Sequence, residues 1–334
     1  MIITPLLIIV CLLVCASIFV NGWTDAPNAI ATVVSTRVLS PKMAVSLAAV
    51  FNLLGVVFFG SAVAKTINEL VKIGSGNDAL IALAAAQLAI VIWAVSAWKY
   101  GIPTSESHAL IAGLMGAAMA FKGYSAFNWG PVIKVVYGLL ISTFVGFGLG
   151  IYLTKLIGFL FRKMKRRPAN TFFSIGQIIS ASAMAFSHGA QDGSKFMGVF
   201  LSALIIGGVV DSSILNDIPL WIKVLCALVM ALGTSVGGYK IIKTMGVDMV
   251  KLEKYQGFSA EVVASTCMLV ATYGGIPLST TNTKGTAMMG AGASRKFSDV
   301  NWNVAKEMIF AWILTFPACL LMGYFMTKLF LIIF

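Results

Sequence analysis

The sequence predicts an all-α polytopic membrane protein with two inverted-topology repeats, broken helices or re-entrant hairpins, and about 10–12 membrane segments. The 334 residues are 59% hydrophobic and only 11% charged, whereas a soluble domain carries about 25% charged residues. Apolar runs of about 18–25 residues, the length of a membrane helix, recur along the whole chain. Glycine, proline and acidic residues interrupt two of these runs at matching positions in the two halves.

The first half contains five apolar regions. The first covers residues 3–36 and is interrupted at Gly22 and Pro27, because glycine tolerates unusual dihedrals and proline removes a helix donor. One continuous helix of this length would reach about 50 Å, too long for one crossing of a ~30 Å bilayer core and too short for two. The other regions are residues 43–64, residues 79–98, a small-residue run ending at Ala120, and residues 131–160.

The second half repeats this order in residues 171–209 (broken at Asp192), 219–238, 259–275, a small-residue run after Pro277, and 308–332. Three landmarks recur in register: G-x-x-D at residues 22–25 and 189–192, G-I-P at 101–103 and 275–277, and N-W at 128–129 and 301–302. Collinear matches indicate a duplication. We predict a first repeat over residues 1–160, a basic cytoplasmic linker over 161–170 and a second repeat over 171–334.

The net charge of +12 is distributed over short loops, most densely at residues 162–167 (RKMKRR). In a membrane protein this pattern reports orientation, so nucleic acid is not an expected partner. It predicts a multi-pass protein of the cytoplasmic membrane with both termini outside, and the basic cluster could also contact anionic lipid. The five cysteines lie inside apolar runs without CxxC spacing and predict neither a disulfide nor a metal site.

Acidic residues inside the apolar regions are the first candidates for function, because intramembrane carboxylates usually face a cavity. Asp25 and Asn28 lie three residues apart on one helical face and offer hard oxygens to Na⁺ or to a proton relay. Asp192 occupies the matching place in the second half, and Glu106 is a further cation-coupling candidate. The alternatives are that Asp25 and Asn28 only cap a helix, and that Asp192 pairs with Lys195.

Two hydroxyl clusters after Ile-Pro predict an anion site, because helix starts present unpaired N–H groups and a favourable dipole. Back-bonding of each hydroxyl to its own helix is the structural alternative. The roles of His108 and Lys284 stay open. The predicted anion-binding residues are Thr104, Ser105, Ser107, Gln191, Lys195, Ser279, Thr280, Thr281 and Asn282.

The sequence gives little support for an enzyme activity. Ser105 with His108 could form a hydrolase pair and Asp25 with Asp192 an aspartyl protease pair. However, no G-x-S-x-G elbow is present, and hydrolysis does not require a duplicated pattern. We therefore predict no enzyme activity and no cofactor other than a coupling ion, with Asp25, Asn28 and Asp192 as Na⁺ ligands.

Residues 21–41 (NGWTDAPNAIATVVSTRVLSP) and 187–198 (SHGAQDGSKFMG) resemble the two signatures of the inorganic phosphate transporter (PiT) family. The resemblance implies phosphate symport with Na⁺, or with H⁺ in some bacterial members, inverted repeats, termini outside and a homodimer. It places cation coupling at Asp25, Asn28 and Asp192, and the anion at the helix starts. Thr24 stands where the family often has His, and Gln191 replaces the usual Asn.

The predicted function is therefore secondary active symport of phosphate with Na⁺ or H⁺. Sulfate is an alternative substrate, because some family members carry it. An anion channel or a non-transporting receptor is the alternative of another class, and saturable uptake against a gradient would exclude a channel.

Overall fold

The computed structural model describes residues 4–59, 61–70 and 74–334, and among these residues it contains no β-strand. Residues 1–3, where the predicted first repeat begins, lie outside the described residues. The α-helices are α1 (Pro5–Thr24), α2 (Pro27–Ser35), α3 (Pro41–Phe58), α4 (Ala62–Leu70), α5 (Asn77–Tyr100), α6 (Glu106–Lys122), α7 (Trp129–Leu160), α8 (Arg166–His188), α9 (Ser194–Ile206), α10 (Leu220–Val236), α11 (Tyr239–Lys243), α12 (Lys254–Tyr273), α13 (Thr280–Ala293) and α14 (Trp302–Ile333).

The first predicted break separates α1 from α2. Pro27 occupies the first turn of α2, where a missing N–H leaves no helical hydrogen bond unmade. Residues Pro5–Ser35 nevertheless form one candidate span of 31 residues. The break therefore interrupts the helix without turning the chain back, and it is not a re-entrant hairpin.

The second predicted break is a π-helical turn, Gly189–Gly193, that joins α8 to α9 without a gap. Such turns widen the helix by one residue and are frequent at functional sites. Helix α8 begins at Arg166, inside the stretch predicted as linker. Residues 166–170 of the predicted linker are thus helical.

Among the residues that the structure describes, six helical segments are long and apolar enough to cross a membrane, or seven if the pair Leu220–Val236 and Tyr239–Met249, bent by 65°, counts as one span. The all-helical, multi-pass fold is confirmed. The count is below the predicted number because α8 and α12 carry polar side chains and α9 and α13 are short. Helices α4 and α11 were not predicted, since each is too short to show a periodic pattern.

The helices of the two halves pair in the same way. Helix α1 packs on α10 and α5, and their counterparts α8, α3 and α12 pack in the same arrangement. The pairs α6 with α14 and α4 with α9 recur as α13 with α7 and α11 with α2. This correspondence agrees with the duplicated landmarks of the sequence.

Glycines allow the closest helix crossings. A Cβ atom on Gly22 would lie 2.2 Å from the Met230 carbonyl oxygen, and one on Gly189 would lie 2.1 Å from the Asn52 carbonyl oxygen. Small residues let membrane helices approach until their backbones touch. Gly22 and Gly189 are equivalent in the two halves, so the same contact fixes both breaks against a neighbouring helix.

Buried apolar side chains form two clusters. One includes Ile18 of α1 and Phe196 of α9, and the other includes Ile30 of α2 and Met184 of α8. At each break the chain passes from one cluster to the other. The polar residues of the breaks therefore lie between two apolar regions.

Candidate functional site

The two broken segments meet at one hydroxyl group. Thr280 Oγ1, at the start of α13, lies 3.1 Å from Asp25 Oδ2 and 3.1 Å from Asp192 Oδ2. Asp25 and Asp192 are 2% and 1% exposed. A hydroxyl has a single proton, so it can donate to one carboxylate at a time. The two buried acids, one from each half of the chain, therefore lie around one hydroxyl group.

Asp25 is surrounded by donors from its own segment and from α13. Thr281 Oγ1 donates to Asp25 Oδ1 at 2.6 Å, and the Asn28 amide donates to the same oxygen. The Asn28 amide also lies 3.0 Å from Thr281 Oγ1. No cation of the described residues pairs with Asp25. Its negative charge is met by neutral hydrogen bonds alone.

Asp192 differs from Asp25 because it has charged and ionisable partners. Lys195 Nζ donates to Asp192 Oδ1 at 2.6 Å, and Asn21 Nδ2 donates to Oδ2 at 3.2 Å. His188 Nε2 lies 3.5 Å from Oδ2, while its Nδ1 lies 3.1 Å from Asn52 Oδ1. The Asp192–Lys195 pair considered from the sequence is thus formed, and Asp192 still faces Thr280.

Lys195 has no free donor for an anion in this structure. Besides Asp192, its ammonium donates to Ser107 Oγ at 2.6 Å and to the Leu278 carbonyl oxygen. An ammonium has three donors, and all three are occupied. Lys195 therefore acts on the site through its charge.

Glu106 lies at the first position of α6, where the helix dipole favours a carboxylate. It is 2% exposed and accepts a hydrogen bond from Thr24 Oγ1. Its Oε2 accepts no hydrogen bond from the residues that the structure describes. Glu106 is thus a third buried carboxylate in this region, and one of its two oxygens is unused.

The starts of α6 and α13 face each other. Ser105 and Ser279 are the N-cap residues of these helices, and their hydroxyl oxygens lie 2.7 Å apart. Ser107 Oγ donates to the Leu278 carbonyl oxygen at 3.0 Å, and Thr281 Oγ1 lies 3.1 Å from the Thr104 carbonyl oxygen. Ser105 and Ser279 thus cap their own helices, and the two helix starts also converge.

The two remaining predicted anion-binding residues are buried near these helix starts. Gln191 Nε2 donates to Thr272 Oγ1 at 3.0 Å and to the Ile276 carbonyl oxygen at 3.3 Å. The Asn282 backbone N–H donates to the Ser279 hydroxyl at 3.1 Å. The side chains of Gln191 and Asn282 are buried, whereas that of Thr104 is only half-buried.

Acceptors exceed donors in this region. Four buried amide oxygens receive no hydrogen bond within the described part of the chain: Asn21 Oδ1, Asn28 Oδ1, Gln191 Oε1 and Asn282 Oδ1. Three carboxylates face a single ammonium group. Ligand atoms of Asp25, His188 and Asp192 lie within 4.8 Å of one another. A buried, oxygen-rich cluster with excess negative charge is suited to binding hard cations.

The comparison with known proteins decides the family. Residues 21–323 match the model of the Phosphate transporter family, and this range includes every side chain described above. The protein belongs to the phosphate transporter family. The family resemblance found in the sequence is therefore confirmed, and the two signature segments are those that contain Asp25 and Asp192.

Bacterial relatives of this phosphate transporter family member cover nearly its whole length. A protein of Bacillus subtilis (strain 168), named "Probable low-affinity inorganic phosphate transporter", is 38% identical over 97% of this chain and 96% of its own length. A protein of the same name from Rhizobium meliloti (strain 1021) is 38% identical over 91% of this chain and 90% of its own. These names describe transporters, as predicted, and not enzymes.

A solved structure shares the fold of this family member. The protein described as "The sodium-dependent phosphate transporter" aligns with a TM-score of 0.90 over 99% of this chain and 100% of its own, at 23% sequence identity. This likeness confirms the all-helical fold with broken helices.

Sequence reasoning missed several side chains of the region. Asn21, Thr24 and His188 lie in the signature segments but were not assigned roles, because nothing local indicates which carboxylate they contact. Glu261, which is fully buried in α12, was also missed. It could have been found, since an acid inside an apolar region is the same signal that identified Asp25.

Replacing Ser279 by Ala should both destabilise α13 and reduce phosphate uptake. The change removes an N-cap, worth about 1 kcal/mol, and the contact to Ser105. Ser40→Ala is the matched control, because Ser40 caps α3 at an exposed position. The unfolding temperature should fall in both variants and at least as far in Ser279→Ala, whereas only Ser279→Ala should slow uptake. Equal uptake in the two variants would contradict a role at the site.

Proposed function

We propose that this family member is a secondary active symporter that moves inorganic phosphate across the cytoplasmic membrane together with Na⁺ or H⁺. The observation that carries the proposal is the Thr280 hydroxyl shared by Asp25 and Asp192. Two carboxylates in a dry pocket repel each other unless a cation or proton neutralises one of them. Phosphate brings further negative charge, so cation binding has to precede or accompany it.

Na⁺ is the favoured coupling ion. The unused amide and carboxylate oxygens are hard ligands, and carbonyl groups released at the first break can complete a coordination shell. We assign Asp25, Asn28 and Asp192 as ligands and Glu106 as a further coupling group. The structural neighbour, described as sodium-dependent, supports this choice. H⁺ coupling is the alternative, because one proton would also relieve the repulsion between Asp25 and Asp192.

The anion is proposed to bind where α6 and α13 meet. Phosphate can replace the mutual hydrogen bond of Ser105 and Ser279. Its oxygens can then accept hydrogen bonds from the backbone N–H groups at both helix starts. Hydroxyl donors on both sides suit a tetrahedral oxyanion. The remaining proposed contacts are Thr104, Ser107, Gln191, Thr280, Thr281 and Asn282, with Lys195 contributing positive charge.

The proposed arrangement in the membrane follows from charge. Two inverted repeats, residues 1–160 and 171–334, flank the basic linker 161–170, which we place in the cytoplasm with both termini outside. The recurring helix pairs support this division. A homodimer in contact with membrane lipid remains part of the proposal, as the family resemblance implies.

Transport by purified protein in liposomes tests the function. We expect saturable uptake of labelled phosphate that exceeds equilibrium under an imposed Na⁺ gradient, and weaker competition by sulfate. A response to a pH gradient alone would assign H⁺ as the coupling ion, and faster uptake of sulfate would reassign the substrate. Flux that stops at equal concentrations would indicate a channel, and binding without uptake would indicate a receptor.

A further inference from the structure

A second buried polar cluster lies outside the site described above. Glu261 of α12 and Lys284 of α13 are both fully buried. Glu261 accepts hydrogen bonds from Thr32 Oγ1 of α2 and Ser180 Oγ of α8. Lys284 Nζ donates to Thr32 Oγ1 at 3.2 Å and lies 3.8 Å from Glu261 Oε1, too far for a hydrogen bond. Four helices thus meet around one loosely paired ammonium group.

Lys284 differs from Lys195 in the use of its donors. Lys195 donates to three protein acceptors, whereas Lys284 donates to one among the described residues. Two N–H groups of a fully buried ammonium are therefore unused. Gln177 Nε2, a nearby buried amide, also lacks an acceptor in the described part of the chain. Unused buried donors are costly unless a ligand pairs with them, so this cluster is suited to an anion.

The cluster lies on the same two helices as the central site. Thr32 follows Asn28 by four residues on α2, and Lys284 follows Thr280 by four residues on α13, a step of about 6 Å in each case. Beyond Thr32, Thr36 donates to Gln177 Oε1 at 2.9 Å. Polar groups therefore continue along one helix face away from Asp25.

This polar series ends at a cavity on the basic face, the end of the molecule that carries Arg166 and Lys254. The cavity has a volume of about 590 Å³, and its lining residues include Thr36, Asn170, the basic residues Arg166 and Lys254, and one acid, Glu253. Its basic residues would attract an anion or receive one leaving the protein. On α2, Thr32 of the Lys284 cluster lies between Asn28 of the central site and Thr36 of this cavity.

The ion pair is absent from the equivalent place in the first half. When the two Ile-Pro motifs are aligned, Gln87 occupies the position of Glu261 and Leu110 that of Lys284. Both positions are buried. The repeat architecture itself therefore does not require a charged pair at this place.

We propose that Lys284 is a second anion contact, which binds the transported oxyanion between the central site and the basic face. This inference rests on the proposed phosphate transport. Glu261 is the resident counter-ion that holds Lys284 while the subsite is empty, and the anion displaces it. The Thr32 hydroxyl, which contacts both Glu261 and the ammonium, supplies a neutral donor, and the unused Gln177 amide lies beyond it, beside Thr36.

Membrane vesicles of both orientations test the subsite with labelled inorganic phosphate. In Lys284→Met, the KM measured at the basic face should rise about tenfold, the loss of about 1.4 kcal/mol of binding. The KM at the opposite face should stay within about twofold. Leu110→Met is the matched control, since it places the same side chain at the equivalent position of the first half, and it should change neither KM.

Two further variants separate anion binding from protein stability. Lys284→Arg keeps the charge and should restore most of the affinity at the basic face. Glu261→Gln removes the competing counter-ion and should lower the KM at that face, opposite in direction to Lys284→Met. Equal KM changes at both faces, or none in Lys284→Met, would overturn the subsite while phosphate transport stands. If wild-type vesicles move no phosphate, the proposed function fails and the subsite fails with it.

Discussion

Asp25→Asn is expected to abolish ion-coupled phosphate uptake while leaving the protein folded. The substitution keeps the shape of the side chain and removes the negative charge that has no cation partner among the described residues. Without that charge, the proposed coupling cation loses one of its proposed ligands. We expect uptake to fall by at least about 100-fold, or about 2.8 kcal/mol of coupling free energy.

Asp192→Asn should lose uptake to a similar extent but should also lower stability. Here the substitution leaves the Lys195 ammonium buried without a counter-ion. Breaking a buried pair in this way costs about 3–5 kcal/mol. Thermal unfolding in detergent should therefore distinguish the two variants, with Asp192→Asn less stable than Asp25→Asn.

Asp211→Asn serves as the control for both acids, since Asp211 is exposed in the loop after α9. It should transport like the wild type. Liposome uptake under a Na⁺ gradient, corrected for the amount of folded protein, is the measurement. Normal gradient-driven uptake in both Asp25→Asn and Asp192→Asn would refute cation coupling at these carboxylates.

Gly189→Ala should destabilise the protein strongly and abolish transport. The added Cβ would lie 2.1 Å from the Asn52 carbonyl oxygen and 2.8 Å from its carbon, far inside van der Waals contact. Both partners are backbone, so side-chain rotation cannot relieve the clash and α3 must move away from α8. Overpacking typically costs about 1–3 kcal/mol, and a backbone clash should reach the upper end.

Gly148→Ala is the matched control. A Cβ at Gly148 of α7 would have open space around it. Alanine there should be neutral or stabilise the helix by up to about 1 kcal/mol. Unfolding temperature and uptake should fall in Gly189→Ala and hold in Gly148→Ala. An unchanged unfolding temperature in Gly189→Ala would show that the α3–α8 crossing is not as close as the structure places it.

Much of the fold followed from patterns that are local in the chain. Long apolar runs predicted the α-helices, and Gly22 and Pro27 predicted the break between α1 and α2. The shape of the second break did not follow, because a π-turn at Gly189 and a true interruption have the same composition. Helix α11 escaped prediction for a different reason: five residues are too few to establish a period.

The sequence predicted which residues form the candidate site better than it predicted which of them contact each other. A carboxylate inside an apolar run is conspicuous, so Asp25, Asp192 and Glu106 were identified directly. Sequence did not fix the different partners of the two carboxylates. Asp25 accepts hydrogen bonds from hydroxyl and amide groups, whereas Asp192 pairs with Lys195. Because Lys195 follows Asp192 by three residues, the two side chains can reach each other. Whether they pair depends on which groups the neighbouring helices place beside them.

The sequence by itself determined that this chain is a polytopic helical protein with two related halves and buried acids at matching positions, because composition, periodicity and repeated motifs are properties of the linear chain. Tertiary structure alone decided that Thr280 stands between Asp25 and Asp192, and that Lys284 keeps unused donors beside Glu261. Hydrogen bonds between residues more than eighty positions apart depend on how the helices pack, and packing is set by the sum of many weak contacts and close glycine crossings.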